Sequence, residues 1–102
     1  MSNITEARKA LVARILEGAG QASRADRQAA FHLSSTAGPP AALAEKVAHD
    51  PAGISDEDIA VVRASGISED QVFEIVVCAA IGQASRQYDA ALAALETVIG
   101  KE

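Results

Sequence analysis

From Glu69 to Glu102 the chain carries no proline, and its apolar residues recur at helical spacing. Between Val72 and Ile81 this helix is apolar nearly all round, the mark of a helix covered on every side. Beyond it, Ala84, Tyr88, Ala91, Leu92, Leu95 and Ile99 share one side, and Gly82 allows a bend near residues 82–85. Ile75-Val76-Val77 alone reads as a strand, but the helical pattern on both sides outweighs it. The segment 54–99 holds 17 of the 27 apolar residues other than alanine, so the core is expected on the last two helices. A short, Ala-rich remainder is too thin to cover such a helix. A second subunit is therefore expected to complete the cover, which predicts a homo-oligomer.

The rest of the sequence predicts more helices. Of the 102 residues, 49% are apolar, 23 are alanine and three are aromatic. Alanine is the best helix former and a poor strand former. The expected fold is all-α: one domain over 1–102, a bundle of about five helices, with a radius of gyration near 13 Å, typical of about 100 residues.

Helix 1 is expected over Ile4–Glu17, with Asn3 and Glu6 at capping-box spacing and Gly18-Ala19-Gly20 stopping it at a left-handed glycine cap. Helix 2 is expected over Gln21–Leu33, with Ala22, Ala25, Ala29 and Leu33 facing in and Phe31 nearby. Residues 34–38 read as a loop. Pro39-Pro40 opens helix 3, which buries Leu43, Ala44, Val47 and Ala48 and ends at Asp50-Pro51.

A short repeat follows. Gly53-Ile54-Ser55-Asp56-Glu57-Asp58-Ile59 recurs thirteen residues later as Gly66-Ile67-Ser68-Glu69-Asp70-Gln71-Val72. Each copy is a complete helix start. Ser55 and Ser68 are N-caps, Asp58 and Gln71 sit at N3, and Ile54/Ile59 and Ile67/Val72 form hydrophobic staples. The first-turn acids suit the positive end of each helix. Helix 4 then spans Asp56–Ser65, and helix 5 begins at Glu69.

The stretch from Ile54 to Ile75, ISDEDIAVVRASGISEDQVFEI, resembles a segment of the carboxymuconolactone decarboxylase / alkylhydroperoxidase D-like superfamily. There, an acidic-capped helix ends in an R-A-x-G-[FIL]-S turn and a second helix opens with acids. Arg86 matches the Arg of that group's Asn-Arg pair, and Ser85 departs from its Asn. The resemblance covers about residues 53–95. It implies an all-α, usually oligomeric protein. The group's peroxidase members use a Cys-x-x-Cys pair, a following His and an upstream Glu. Here the residue three after Cys78 is Ile81, and Ser85 stands in the place of the His. None of the group's catalytic residues carries over. The implied architecture comes without the implied activity.

Net charge is −5: +1 over residues 1–51, where six Lys/Arg face five Asp/Glu, and −6 over 52–102, where three face nine. An acidic chain without a basic stripe is a poor nucleic-acid binder. Arg8, Lys9, Arg14, Arg24 and Arg27, interleaved with acids, read as a solvated face. The longest apolar run, Ile75–Ile81, is too short to span a bilayer. One cysteine allows no intrachain disulfide, and the N-terminal residues lack signal-peptide character, so a cytoplasmic location is the default expectation.

Few residues carry chemistry. Cys78 is either a redox thiol or, more in keeping with its apolar flanks, an inert core residue. Glu74 is either a general acid/base or an exposed helix edge or ion-pair partner. His32 and His49 stand near helix ends, without the spacing of a metal site. Gly18-Ala19-Gly20 lacks the strand and the Gly-Lys-Ser/Thr of a phosphate loop. Arg63 and Arg86 are expected to pair with acidic helix starts. The sequence thus assigns no catalytic residue, cofactor or metal site and leaves any small-molecule ligand unknown. It favours a non-catalytic, self-associating or binding module. The alternative is a thiol peroxidase or cofactor-free decarboxylase-type enzyme using Cys78 or Glu74.

Overall fold

A computed structural model describes residues 2–34 and 38–100. It is all-α. Five helices run in order: α1 (Ser2–Glu17), α2 (Arg24–His32), α3 (Pro39–His49), α4 (Asp56–Ala64) and α5 (Glu69–Ile99), with a short 3₁₀ turn at Pro51–Gly53. Most of the expected loop at 34–38 lies outside the described residues.

The repeated helix starts form as the sequence dictates. The Ser55 and Ser68 hydroxyls accept the Asp58 and Gln71 N–H groups, and the Asp58 and Gln71 side chains accept the serine N–H groups in return. Ile54 and Ile59 lie half-buried against the core, as does Ile67, and Val72 is buried within it. Gly66 links the two helices at φ +101°, where a side chain would strain the backbone.

Other boundaries depart from expectation. Helix α1 begins at Ser2, so Asn3 lies inside the helix and is not a cap. Gly18 ends it with an ordinary turn bond to Arg14, not in the left-handed region. Helix α2 starts only after Ser23, whose hydroxyl accepts the Asp26 N–H. Its buried face is Arg27, Ala30 and Phe31, while Ala25 is exposed. Leu33 carries the left-handed cap at φ 53°. In α3, Leu43, Ala44 and Val47 are buried as read, and Ala48 is half-buried.

The core forms where α2 and α3 lie against the N-terminal half of α5. Leu16, Phe31, Leu43, Val47, Val62, Val72, Ile75 and Cys78 meet there. Of α4 only Val62 is buried, so the core rests on α5 with α2 and α3 and not on α4 with α5. Gly82 does not split α5. A β-carbon there would overlap the Phe31 carbonyl, so this glycine permits the close approach of α2.

Helix α5 is not covered on every side. Phe73 is 67% exposed, Leu95 50% and Val98 65%. Thirty-one residues make a rod of about 46 Å. Its C-terminal half meets the end of α2 through Arg86 and otherwise lies beside α1, which runs antiparallel to α5: Arg8 pairs with Asp89 at 2.9 Å, and Ile15 lines a cleft with Cys78. The molecule measures 55 × 29 × 20 Å, with a radius of gyration of 15.5 Å. That exceeds the ~13 Å of a compact domain because the α1–α5 pair projects beyond the core.

Candidate functional site

Chemistry-bearing side chains gather around α5, in clefts against α1 and α2. The first cleft, about 220 Å³, is lined by Arg27, Phe73, Glu74 and Cys78. Cys78 and Glu74 are one helical turn apart on α5, and α2 brings Arg27 to them.

Glu74 is half-buried rather than an exposed edge, and among the described residues it forms no ion pair. Its carboxylate accepts the backbone N–H groups of Gln21 at 2.8 Å and Ala22 at 3.2 Å. Gln71 Nε2 donates to the Gln21 carbonyl at 3.2 Å. The α1–α2 turn is thereby fastened to the first two turns of α5. Gly20 passes so close that a β-carbon would meet the carboxylate.

Arg27 is buried at 5% exposure, against the expectation of a solvated face. Its Nη1 donates 3.0 Å to the carbonyl of Ile15, in the last turn of α1. Burial pushes the Cys78 thiol above its ordinary 9.0, with Arg27 opposing and Glu74 adding to that shift. A thiol held protonated is a weak nucleophile. The three groups thus stand together, but each is committed: Glu74 to loop amides, Arg27 to a helix end, Cys78 to the core.

The second cleft, about 500 Å³, is lined by Arg8, Lys9, His32, Ser85, Arg86 and Asp89 above Val12 and Leu16. Arg86 does not reach an acidic helix start. Its Nη1 donates 2.7 Å to the Phe31 carbonyl, and its Nε and Nη2 hold Gln83 Oε1 at 3.3 and 3.0 Å. Arg63 does face one, with Glu69 Oε2 at 3.6 Å. Arg8 lies 5.0 Å over the Tyr88 ring as well as pairing with Asp89.

The histidines sit in the last turns of α2 and α3, where a positive charge suits the helix dipole. His32 packs edge-on to Phe31, and His49 stands 3.9 Å from Glu45. They share no cleft with Glu74. Between α3 and α4, a cleft of about 460 Å³ holds the Lys46–Asp58 pair at 2.9 Å. Among the described residues no group of three His, Cys, Asp or Glu is placed to hold a metal ion, and no helix is long and apolar enough to cross a membrane.

Sequence reasoning missed the roles of Arg27 and Glu74. The one available signal was a charge interrupting an apolar face, and it does not name the backbone groups it serves.

No protein-family model, curated protein or solved structure matches the chain.

Proposed function

We infer that the chain is a non-catalytic helical module that works by associating with a copy of itself through α5. The observation that carries this reading is the apolar, charge-free side of α5, from Phe73 to Val98, that the described residues leave largely exposed. Globular monomers rarely leave such a surface bare. The backbone hydrogen bonds of Glu74, Arg27 and Arg86 and the buried, protonated Cys78 thiol support the same reading, since each group has a structural role. The resemblance over residues 53–95 to the carboxymuconolactone decarboxylase-like group, whose members are usually oligomeric, supports it further. The lone thiol, with no disulfide partner, fits a cytoplasmic setting.

The test is the solution mass by light scattering across the micromolar range. Mass above that of one 10.5 kDa chain supports the reading, and a monomer throughout rejects it.

The enzymatic alternative has one observation in its favour: Cys78, Glu74 and Arg27 share a cleft. Native alkylation separates the two readings. Fast labelling at neutral pH would point to a peroxidatic thiol, and labelling only on unfolding to a core residue.

A further inference from the structure

We propose that α5 pairs antiparallel with α5 of a second copy, with Phe73 against the partner's Val98 and Ala80 against the partner's Ala91. This rests on the self-association reading and adds its geometry.

The face is defined first by large side chains. Phe73, Leu95 and Val98 are at least half exposed on α5, and Ile4 and Leu11 are comparably exposed on α1. Ile4, Leu11 and Ile15 share one side of α1, and Ile15 lines the same cleft as Phe73 and Val77. The α1 edge therefore extends the α5 face instead of forming a separate patch.

Along α5 the face follows alternating steps of four and three: Phe73, Val77, Ala80, Ala84, Gln87, Ala91, Ala94, Val98. That is the seam spacing of paired helices. None of the eight is charged. Seven are exposed and Val77 is half-buried. The opposite side of α5, with Val72, Ile75, Ala79 and Gly82, is already buried in the core. The helix thus carries two seams, and one is filled.

The occupant follows from the order of sizes. An isologous interface must be complementary to itself under a two-fold axis. Read from either end, the seam runs from large to small: Phe73 and Val77 at one end, Val98 at the other with Leu95 beside it, and four alanines with the uncharged Gln87 between. Reversing one copy about a point between Ser85 and Arg86 sets 73 against 98, 77 against 94, 80 against 91 and 84 against 87. Ala80 and Ala91 then meet on either side of the axis, Ala84 meets the partner's Gln87 next to it, and large residues close both ends. A parallel pairing would stack Phe73 on Phe73 and leave the ends unequal. The partner's Phe73 and Val77 also fall beside Ile4, so the α1 edge is covered in the same step.

The area suffices. Residues 73–98 span about 38 Å, and a helix face about 10 Å wide gives roughly 400 Å². The α1 edge from Ile4 to Ile15 adds on the order of 150 Å². About 550 Å² per partner clears the roughly 1,000 Å² total of a specific interface.

The test uses disulfide trapping in a Cys78→Ser background, with mass measured before oxidation. Ala80→Cys/Ala91→Cys places two exposed thiols about 16 Å apart within one helix, beyond the ~7 Å reach of a disulfide. Any covalent product of that variant joins two chains. The proposal expects most of the protein to form a covalent dimer on mild oxidation. Ala80→Cys alone, and Ala80→Cys/Leu95→Cys, shifted by one turn, should trap several-fold less. A dimeric mass without the Ala80–Ala91 trap overturns this register and leaves self-association standing. Efficient trapping by Ala80→Cys alone indicates parallel helices and also overturns it. A monomeric mass overturns both and leaves the face to a different partner.

Discussion

Arg86, on α5, holds the carbonyl oxygen of Phe31 at 2.7 Å across 55 residues of sequence. Phe31 lies in the last turn of α2, where carbonyls have no partner within the helix. Arg27 does the same for Ile15 near the end of α1. Two helix ends are therefore closed by guanidinium groups from neighbouring helices.

Removing one of these groups is expected to cost far more than removing a surface pair. Arg86→Met loses charged hydrogen bonds to Phe31 and Gln83 and should destabilise by about 1.5–3 kcal/mol. Arg63→Ala breaks an exposed pair with Glu69 and should cost about 0–1 kcal/mol. Urea unfolding of both variants checks the contrast. Equal losses would mean that the Phe31 contact does not hold the end of α2.

Gly82→Ala places a methyl group on the Phe31 backbone, which cannot yield as a side-chain tip can. A loss of roughly 1–3 kcal/mol is expected from overpacking, although alanine favours helix. Thermal melting reads it. A stabilised variant would show that α2 does not approach α5 this closely.

Glu74→Ala leaves the Gln21 and Ala22 amides without their acceptor. Gln21 is exposed and water can replace part of the loss, so about 1–2 kcal/mol is expected. Faster amide exchange confined to residues 20–23 should accompany it. A cost without that local change would place the role of Glu74 elsewhere.

The titrating groups give opposite pH limbs. The Lys46 ammonium, aided by the Ser55 amide, lowers the Asp58 carboxyl below its usual 3.8. The folded state then binds fewer protons, so this contribution is present above 3.8 and lost as pH falls further. The raised Cys78 thiol works the other way. Its contribution is complete below 9.0 and is lost as pH rises beyond it. Stability measured against pH should lose its acid limb in part in Asp58→Asn and its first alkaline limb in Cys78→Ala. Unchanged curves would remove these groups from the titration.

What the sequence made legible was local. Ser55, Asp58, Ser68 and Gln71 satisfy amides three residues away, so spacing alone places both helix starts. Leu43 and Val47 follow a period that one element sets for itself. Arg27, Glu74 and Gly82 were misread because each serves a backbone group 12 to 53 residues distant. A solvated arginine and a buried one look alike until the helix ends they cap are in place. The bare side of α5 was obscured in the same way. Val72–Ile81 is apolar nearly all round, and only the positions of α2 and α3 show which side the chain fills and which it leaves exposed.

Sedimentation equilibrium of the native chain beside Ala84→Arg tests most directly whether that side pairs with a copy of itself. Ala84 is exposed in the single chain, so the arginine should leave helix content and melting of the monomer unharmed. The native chain is expected at twice 10.5 kDa and Ala84→Arg at 10.5 kDa. A native chain that stays at 10.5 kDa, or an arginine variant as dimeric as the native chain, would contradict the pairing of α5 with itself.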